Sequence, residues 1–223
     1  MSRRLLGFAL AAAIATCALP ARASDASRSG FYMGVNAGVS GASTEVTPQT
    51  AGASSFNVSM AGGTAGAMIG YLHQAGRISF GIEGELSSMD VSGDETTQVG
   101  GSRTKTEIQL DRGARVRVRV GAGLGSKWLV YGAAGLSQAQ SKMTLTSLST
   151  PGQTASASER LAGGNFGIGG EYAFTRHLSG RVEWIYDIYG GTTYKTSSNP
   201  FFVDRKIDDL VAFTLRAALS LKF

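Results

Sequence analysis

Arg115, Arg117 and Arg119 stand at every second position with Val116 and Val118 between them. A β-strand turns successive side chains to opposite faces, so this spacing gathers three guanidiniums on one face and valines on the other. Glu83 and Glu85 repeat the pattern with carboxylates, and Arg181 and Glu183 repeat it with one charge of each sign. Glu171 and Arg216 fall on the polar side of two further alternating segments. Charges collected in this way can pair with one another, line a water path, or serve acid–base chemistry. The last use needs a nucleophile or an activated water beside a base. The histidines are His73 and His177; both fall in expected turns, and neither has a local Ser or carboxylate constellation. The chain is therefore read as a non-enzyme. Metal-ligand spacing is absent and no cofactor is expected. The run Gly121-Ala122-Gly123-Leu124-Gly125 lacks the third spaced glycine and following helix of a dinucleotide loop, so it reads as a hairpin turn.

The elements that position these charges are strands, and residues 211–223 define their polarity. Val211, Phe213, Leu215, Ala217, Leu219, Leu221 and Phe223 share one face, while Thr214, Arg216, Ser220 and Lys222 share the other. An unbroken apolar face opposite arginine and lysine describes a greasy outside around a polar inside, the reverse of a soluble barrel. Roughly ten tilted strand residues cross a bilayer, and this segment is long enough.

The amino terminus carries Arg3 and Arg4, an apolar run over residues 5–19, and Ala21-Arg22-Ala23. This order reads as a secretory signal over residues 1–23, leaving 24–223 as one barrel domain. The apolar run is shorter than the roughly twenty residues of a helical span, so insertion has to use strands. Cleavage would remove Cys17, the single cysteine, and three of the arginines behind the formal charge of +5. Clustered basic residues with aromatics between them are not seen, and nucleic acid is excluded as a partner.

Alternation marks strands at 31–40, 62–72, 77–89, up to 120, 128–140, 165–174, 178–188 and 211–223. Residues 128–140 alternate poorly, and their register is left open. Short turns at 73–76, 123–126 and 175–177 interleave with expected long loops at 41–59, 90–103, 142–158 and 190–206. The expected fold is all-β, an eight-stranded antiparallel up-and-down transmembrane β-barrel with short periplasmic turns and long outer loops. Phe31, Trp128, Phe174 and Phe223 would form one interfacial aromatic girdle at the turn end.

Gly30-Phe31-Tyr32-Met33-Gly34, Gly81-Ile82-Glu83-Gly84-Glu85, Arg117-Val118-Arg119-Val120-Gly121, Trp128-Leu129-Val130-Tyr131, Gly169-Gly170-Glu171-Tyr172 and Val182-Glu183-Trp184 occur in this order. Together they resemble the OmpA-like outer-membrane barrels of the small porin and opacity surface-antigen type. The resemblance implies a Gram-negative outer-membrane location, contact with lipid and lipopolysaccharide, and insertion by the outer-membrane assembly machinery with Phe223 as the assembly signal. It also implies a spread of roles: envelope proteins, adhesins, haem binders and weak pores. A peptidoglycan-binding domain is not read in the sequence.

The lumen charges are then Glu83, Glu85, Arg115, Arg117, Arg119, Glu171, Arg181, Glu183 and Arg216. An eight-stranded barrel is only wide enough for side chains to fill, which favours a salt-bridged plug over a gated pore. Tyr194, Phe201 and Phe202 are candidate loop contacts for a host surface or a small ligand such as haem, or else packing groups on the barrel rim. The expected function is an integral outer-membrane protein with a structural and surface-exposed role. A narrow porin-like channel and a ligand-binding surface protein are the alternatives.

Overall fold

Period-two alternation runs far beyond the segments that the sequence pattern marks as strands. The computed structural model describes residues 29–49, 54–99, 102–150, 152–195, 202 and 204–223. The expected signal segment and Phe201 lie outside them. Eight long strands follow in order: β1 (Gly30–Pro48), β2 (Phe56–Ala75), β3 (Ile78–Val99), β4 (Ser102–Leu124), β5 (Trp128–Ser147), β6 (Thr154–Ala173), β7 (Leu178–Tyr189) and β10 (Leu210–Lys222). Between the last two come the three-residue strands β8 (Thr192–Tyr194) and β9 (Arg205–Ile207). Each long strand pairs antiparallel with the next, and β10 pairs with β1 to close the ring. The expected eight-stranded up-and-down barrel is the observed fold. Gly76 and Gly125 adopt φ values of 62° and 73° in two of the tight turns, a region that glycine enters without steric cost.

The wall has two storeys of opposite polarity. From the turn end, the outward positions of β4 read Leu124, Ala122, Val120, Val118, Val116 and Ala114 before reaching Arg112. Those of β10 read Phe223, Leu221, Leu219, Ala217, Leu215, Phe213 and Val211 before Asp209. The lipid-facing band thus spans about ten residues of strand, as a bilayer crossing requires. Phe31, Trp128, Phe174 and Phe223 are all exposed at the turn end. They are joined there by Tyr71, 4.9 Å from Phe31, and by Tyr172, 4.9 Å from Trp128.

Beyond the lipid-facing band the strands continue, and here the expected long loops are corrected. Most of 41–59, 90–103 and 142–158 is paired strand, and β8 and β9 lie within 190–206. Outside the bilayer the wall meets water, so its outward face is polar and its inward face apolar. Ser43, Asn57, Ser92, Lys142 and Ser158 point out, while Val46, Val58, Met60, Val91, Ile108, Leu110, Met143 and Leu145 point in. These inward groups build one apolar core in the outer half of the barrel.

The switch between storeys requires a correction of phase in β4. Its inward residues are Thr104, Thr106, Ile108 and Leu110 in the outer half but Arg115, Arg117 and Arg119 in the membrane half. Strict alternation cannot satisfy both sets. Leu110 pairs with Ser141 and Arg112 with the adjacent Gln140, so Asp111 is an extra residue on β4. This β-bulge resets the phase at the boundary. The open register of β5 is settled as well: Leu129, Tyr131 and Ala133 face in, and Trp128, Val130 and Leu136 face out. Its contrast is weak because Gly132, Ala133, Ala134 and Gly135 occupy both faces in succession.

Candidate functional site

The inward charges meet in the membrane half of the barrel. In register, Glu83 of β3 lies beside Arg117 of β4 and Glu85 beside Arg115; Glu183 of β7 lies beside Arg216 of β10, and Glu171 of β6 beside Arg181 of β7. Cross-strand neighbours of opposite sign stabilise a sheet locally. The longer contacts tie opposite walls together. Arg181 Nη1 is 2.6 Å from Glu83 Oε2, joining β7 to β3 across the full width of an eight-membered ring. Arg117 is held between Glu83, which it contacts through Nη2, and Glu183, whose Oε1 is 2.8 Å from its Nη1.

Arg115 donates from Nε and Nη2 to both oxygens of Asp187, at 3.0 and 2.7 Å, and from Nη1 to Glu85 at 3.3 Å. Arg216 sits 2.5 Å from Glu85 and donates to Glu183 at 2.6 Å. Arg119 donates to Glu171 at 2.9 Å and to the Tyr32 hydroxyl at 3.0 Å, and that hydroxyl donates to Glu83 at 2.7 Å. The Arg119 guanidinium also lies over the Tyr131 ring, 3.9 Å from its centroid. Glu83 and Arg117 are each 1% exposed, so these charges have exchanged water for one another.

The structure brings all of the expected lumen charges together: Glu83, Glu85, Arg115, Arg117, Arg119, Glu171, Arg181, Glu183 and Arg216. With Asp187, five arginines face five carboxylates. Asp187 is the member that the sequence reading left out of the network, although it has the same strand phase as Arg181 and Glu183. Tyr32 and Tyr131 were missed too, because a tyrosine on a polar face does not announce a guanidinium partner. Of the loop aromatics, Tyr194 and Phe202 take the packing alternative, buried in the outer apolar core. His73 and His177 are exposed at the turn end, His73 against the Phe80 ring at 5.0 Å.

Glycine makes room for the network at Gly70, beside Tyr32 in the wall. A β-carbon there would come within 2.5 Å of the Tyr32 ring and 2.6 Å of the Ile82 carbonyl oxygen. Gly70→Ala should therefore destabilise the barrel by about 1–3 kcal/mol through overpacking. Gly84→Ala, where a β-carbon meets nothing within 4 Å, should stay within about 0.5 kcal/mol of wild type. Unfolding in lipid vesicles, followed by the gel shift between compact and boiled forms, checks the pair; equal stabilities would contradict the packing.

Over 210 residues the chain is 28% identical to the 31 kDa outer-membrane immunogenic protein of Brucella melitensis biotype 1, covering 87% of this chain and 83% of that relative. Among solved structures it is similar to Neisserial surface protein A, with 14% identity, a TM-score of 0.43 and coverage of 87% and 97% of the two chains. It is also similar to the outer membrane protease OmpT of Escherichia coli, with 11% identity, a TM-score of 0.49 and the same coverage. The outer membrane protein beta-barrel domain matches residues 8–204, and with a closed ring whose apolar wall faces outward, the chain belongs to that family and resides in the Gram-negative outer membrane.

Proposed function

We propose that the protein is a closed, non-enzymatic barrel that supports the envelope and displays its outer storey at the cell surface. The observation that carries this reading is a lumen obstructed at two levels. Side chains from opposite walls pair across its membrane half, and an apolar core fills the half above. Ions would have to break the first and dehydrate in the second. Purified protein in planar bilayers should give no steady ionic current; steady large currents would refute closure and favour the channel alternative.

The non-enzymatic part is supported by distance along the barrel. The imidazoles of His73 and His177 belong to the turn end, while the buried carboxylates are consumed by arginines. Contact with lipopolysaccharide is supported by a basic patch at the outer edge of the lipid band. Arg112 of β4 and Arg160 of β6 are both in register with Gln140 of β5, and Lys142 lies two residues further out. All three cations are exposed, at the depth where outer-leaflet phosphates begin. With Tyr194 and Phe202 turned inward, host recognition falls to the polar rows of the outer wall rather than to those two rings.

A further inference from the structure

Arg205 is a buried cation that stands apart from the charge pairing of the membrane half. It projects from β9 into the outer apolar core and is 3% exposed. Register places it opposite Pro48 of β1 and Tyr194 of β8. Its Nε and Nη1 are buried without a hydrogen-bond partner. Among the described residues no carboxylate forms an ion pair with it, whereas Arg115, Arg117, Arg119, Arg181 and Arg216 all have one. The Phe56 ring has its centroid 5.8 Å from the guanidinium carbon. Burial lowers its pKa. The neighbouring Tyr194 hydroxyl is buried near Ser141 and Glu159; burial, the largest influence, pushes it up to about 12, so it stays protonated at neutral pH. A buried cation without a counter-charge is unfavourable until an anion arrives.

Among the described residues, the wall beside this pair is unpaired along one edge. β7 stops at Tyr189, so residues 155–161 of β6 pair with β5 on one side and, among the described residues, with no strand on the other. The last rung is Gly190 N donating to Ala162 O at 3.1 Å. β8 stands along this edge but pairs with β9. Ala155 and Ala157 on the edge are only partly buried and pack against the apolar core. Among the described residues, a seam in the outer storey therefore leads toward a largely apolar place that holds Arg205 and Tyr194, with Ser141 and Glu159 near the tyrosine.

We propose that Arg205 anchors a binding site for a small carboxylate with a hydrocarbon body, admitted through the seam between β6 and β8. The guanidinium fork matches a carboxylate in two parallel hydrogen bonds, and the Tyr194 hydroxyl supplies a further donor. The hydrocarbon would lie against Phe56, Val46 and Ile207. A bare inorganic anion would leave those groups unused, and a neutral alcohol would leave the cation unpaired.

The test titrates the barrel, purified in a neutral detergent, with octanoate, octanol and sulfate, using wild type, Arg205→Met and Arg205→Lys. Octanoate should bind wild type at least tenfold more tightly than octanol or sulfate. Arg205→Met should lose at least tenfold in octanoate affinity, with Arg205→Lys in between. Ligand-free Arg205→Met should unfold at a temperature equal to or above wild type, since it removes an unpaired charge. Equal octanoate binding by Arg205→Met, or octanol or sulfate binding as tightly as octanoate, would overturn the proposal. So would a less stable Arg205→Met, which would assign the guanidinium a partner within the chain, Glu159 at the seam foremost. Lumen conductance enters none of these readouts, so closure of the barrel and this site stand or fall separately.

Discussion

Glu83→Gln is expected to lower the unfolding free energy of the barrel by about 3–5 kcal/mol, as removal of one partner from a buried pair does. Glu83 is the carboxylate with the most arginine contacts. It touches Arg117, lies 2.6 Å from Arg181, 3.5 Å from Arg119 and 3.7 Å from Arg216, and accepts the Tyr32 hydroxyl. Glutamine keeps the shape but removes the charge, leaving four carboxylates against five arginines in a space closed to water. Its amide hydrogens would also point at guanidinium donors. The measurement is urea unfolding in lipid vesicles, scored by the gel mobility of compact and unfolded forms. Ser158→Ala, on the exposed outer wall, serves as the control and should change stability by no more than about 0.5 kcal/mol. A Glu83→Gln barrel as stable as this control would mean that the lumen charges are individually hydrated and that the network holds nothing together.

The membrane half was legible from residues alone because the bilayer imposes one rule on every strand there. Outward positions meet hydrocarbon and inward ones meet other charges, so Val116, Val118 and Val120 against Arg115, Arg117 and Arg119 reveal both face and phase. The same reading failed in the outer half because the rule reverses at the membrane surface. Ser43, Asn57, Ser92 and Ser158 on the outside, with Gly and Thr between them, resemble loop composition, and their strand character lies in partners on other strands. Asp187 had the right phase but lay outside the Glu-and-Arg spacing that drew attention to its neighbours. Arg205 carries no sequence signal at all. Its isolation depends on where β9 lands, opposite Pro48 and Tyr194, and no local spacing encodes which groups fail to reach it.

The phase reset in β4 makes two single-residue deletions in this strand behave oppositely. Asp111 is the extra residue between Leu110, paired with Ser141, and Arg112, paired with the adjacent Gln140. Without it, Leu110 still faces in, Arg112 still faces out, and the β4–β5 ladder becomes continuous. The cost falls on the β3 side, where Met89 and Asp90 already oppose Asp111 between the Ser88–Arg112 and Val91–Leu110 pairs. Deleting Asp111 should thus yield a folded barrel that migrates as a compact species before boiling, with a moderate loss of stability. Deleting Val118 instead makes Arg117 and Arg119 neighbours, and adjacent strand residues face opposite ways. With the bulge kept, Arg119 turns to lipid; with the bulge given up in compensation, Arg115 and Arg117 do, at about 2–4 kcal/mol for each one near the midplane. Neither outcome is compatible with a stable barrel, and the Val118 deletion should be recovered unfolded or not at all. Two deletion variants that fold equally well, or an Asp111 deletion that fails while the Val118 deletion inserts, would refute the bulge as the device that joins the two storeys.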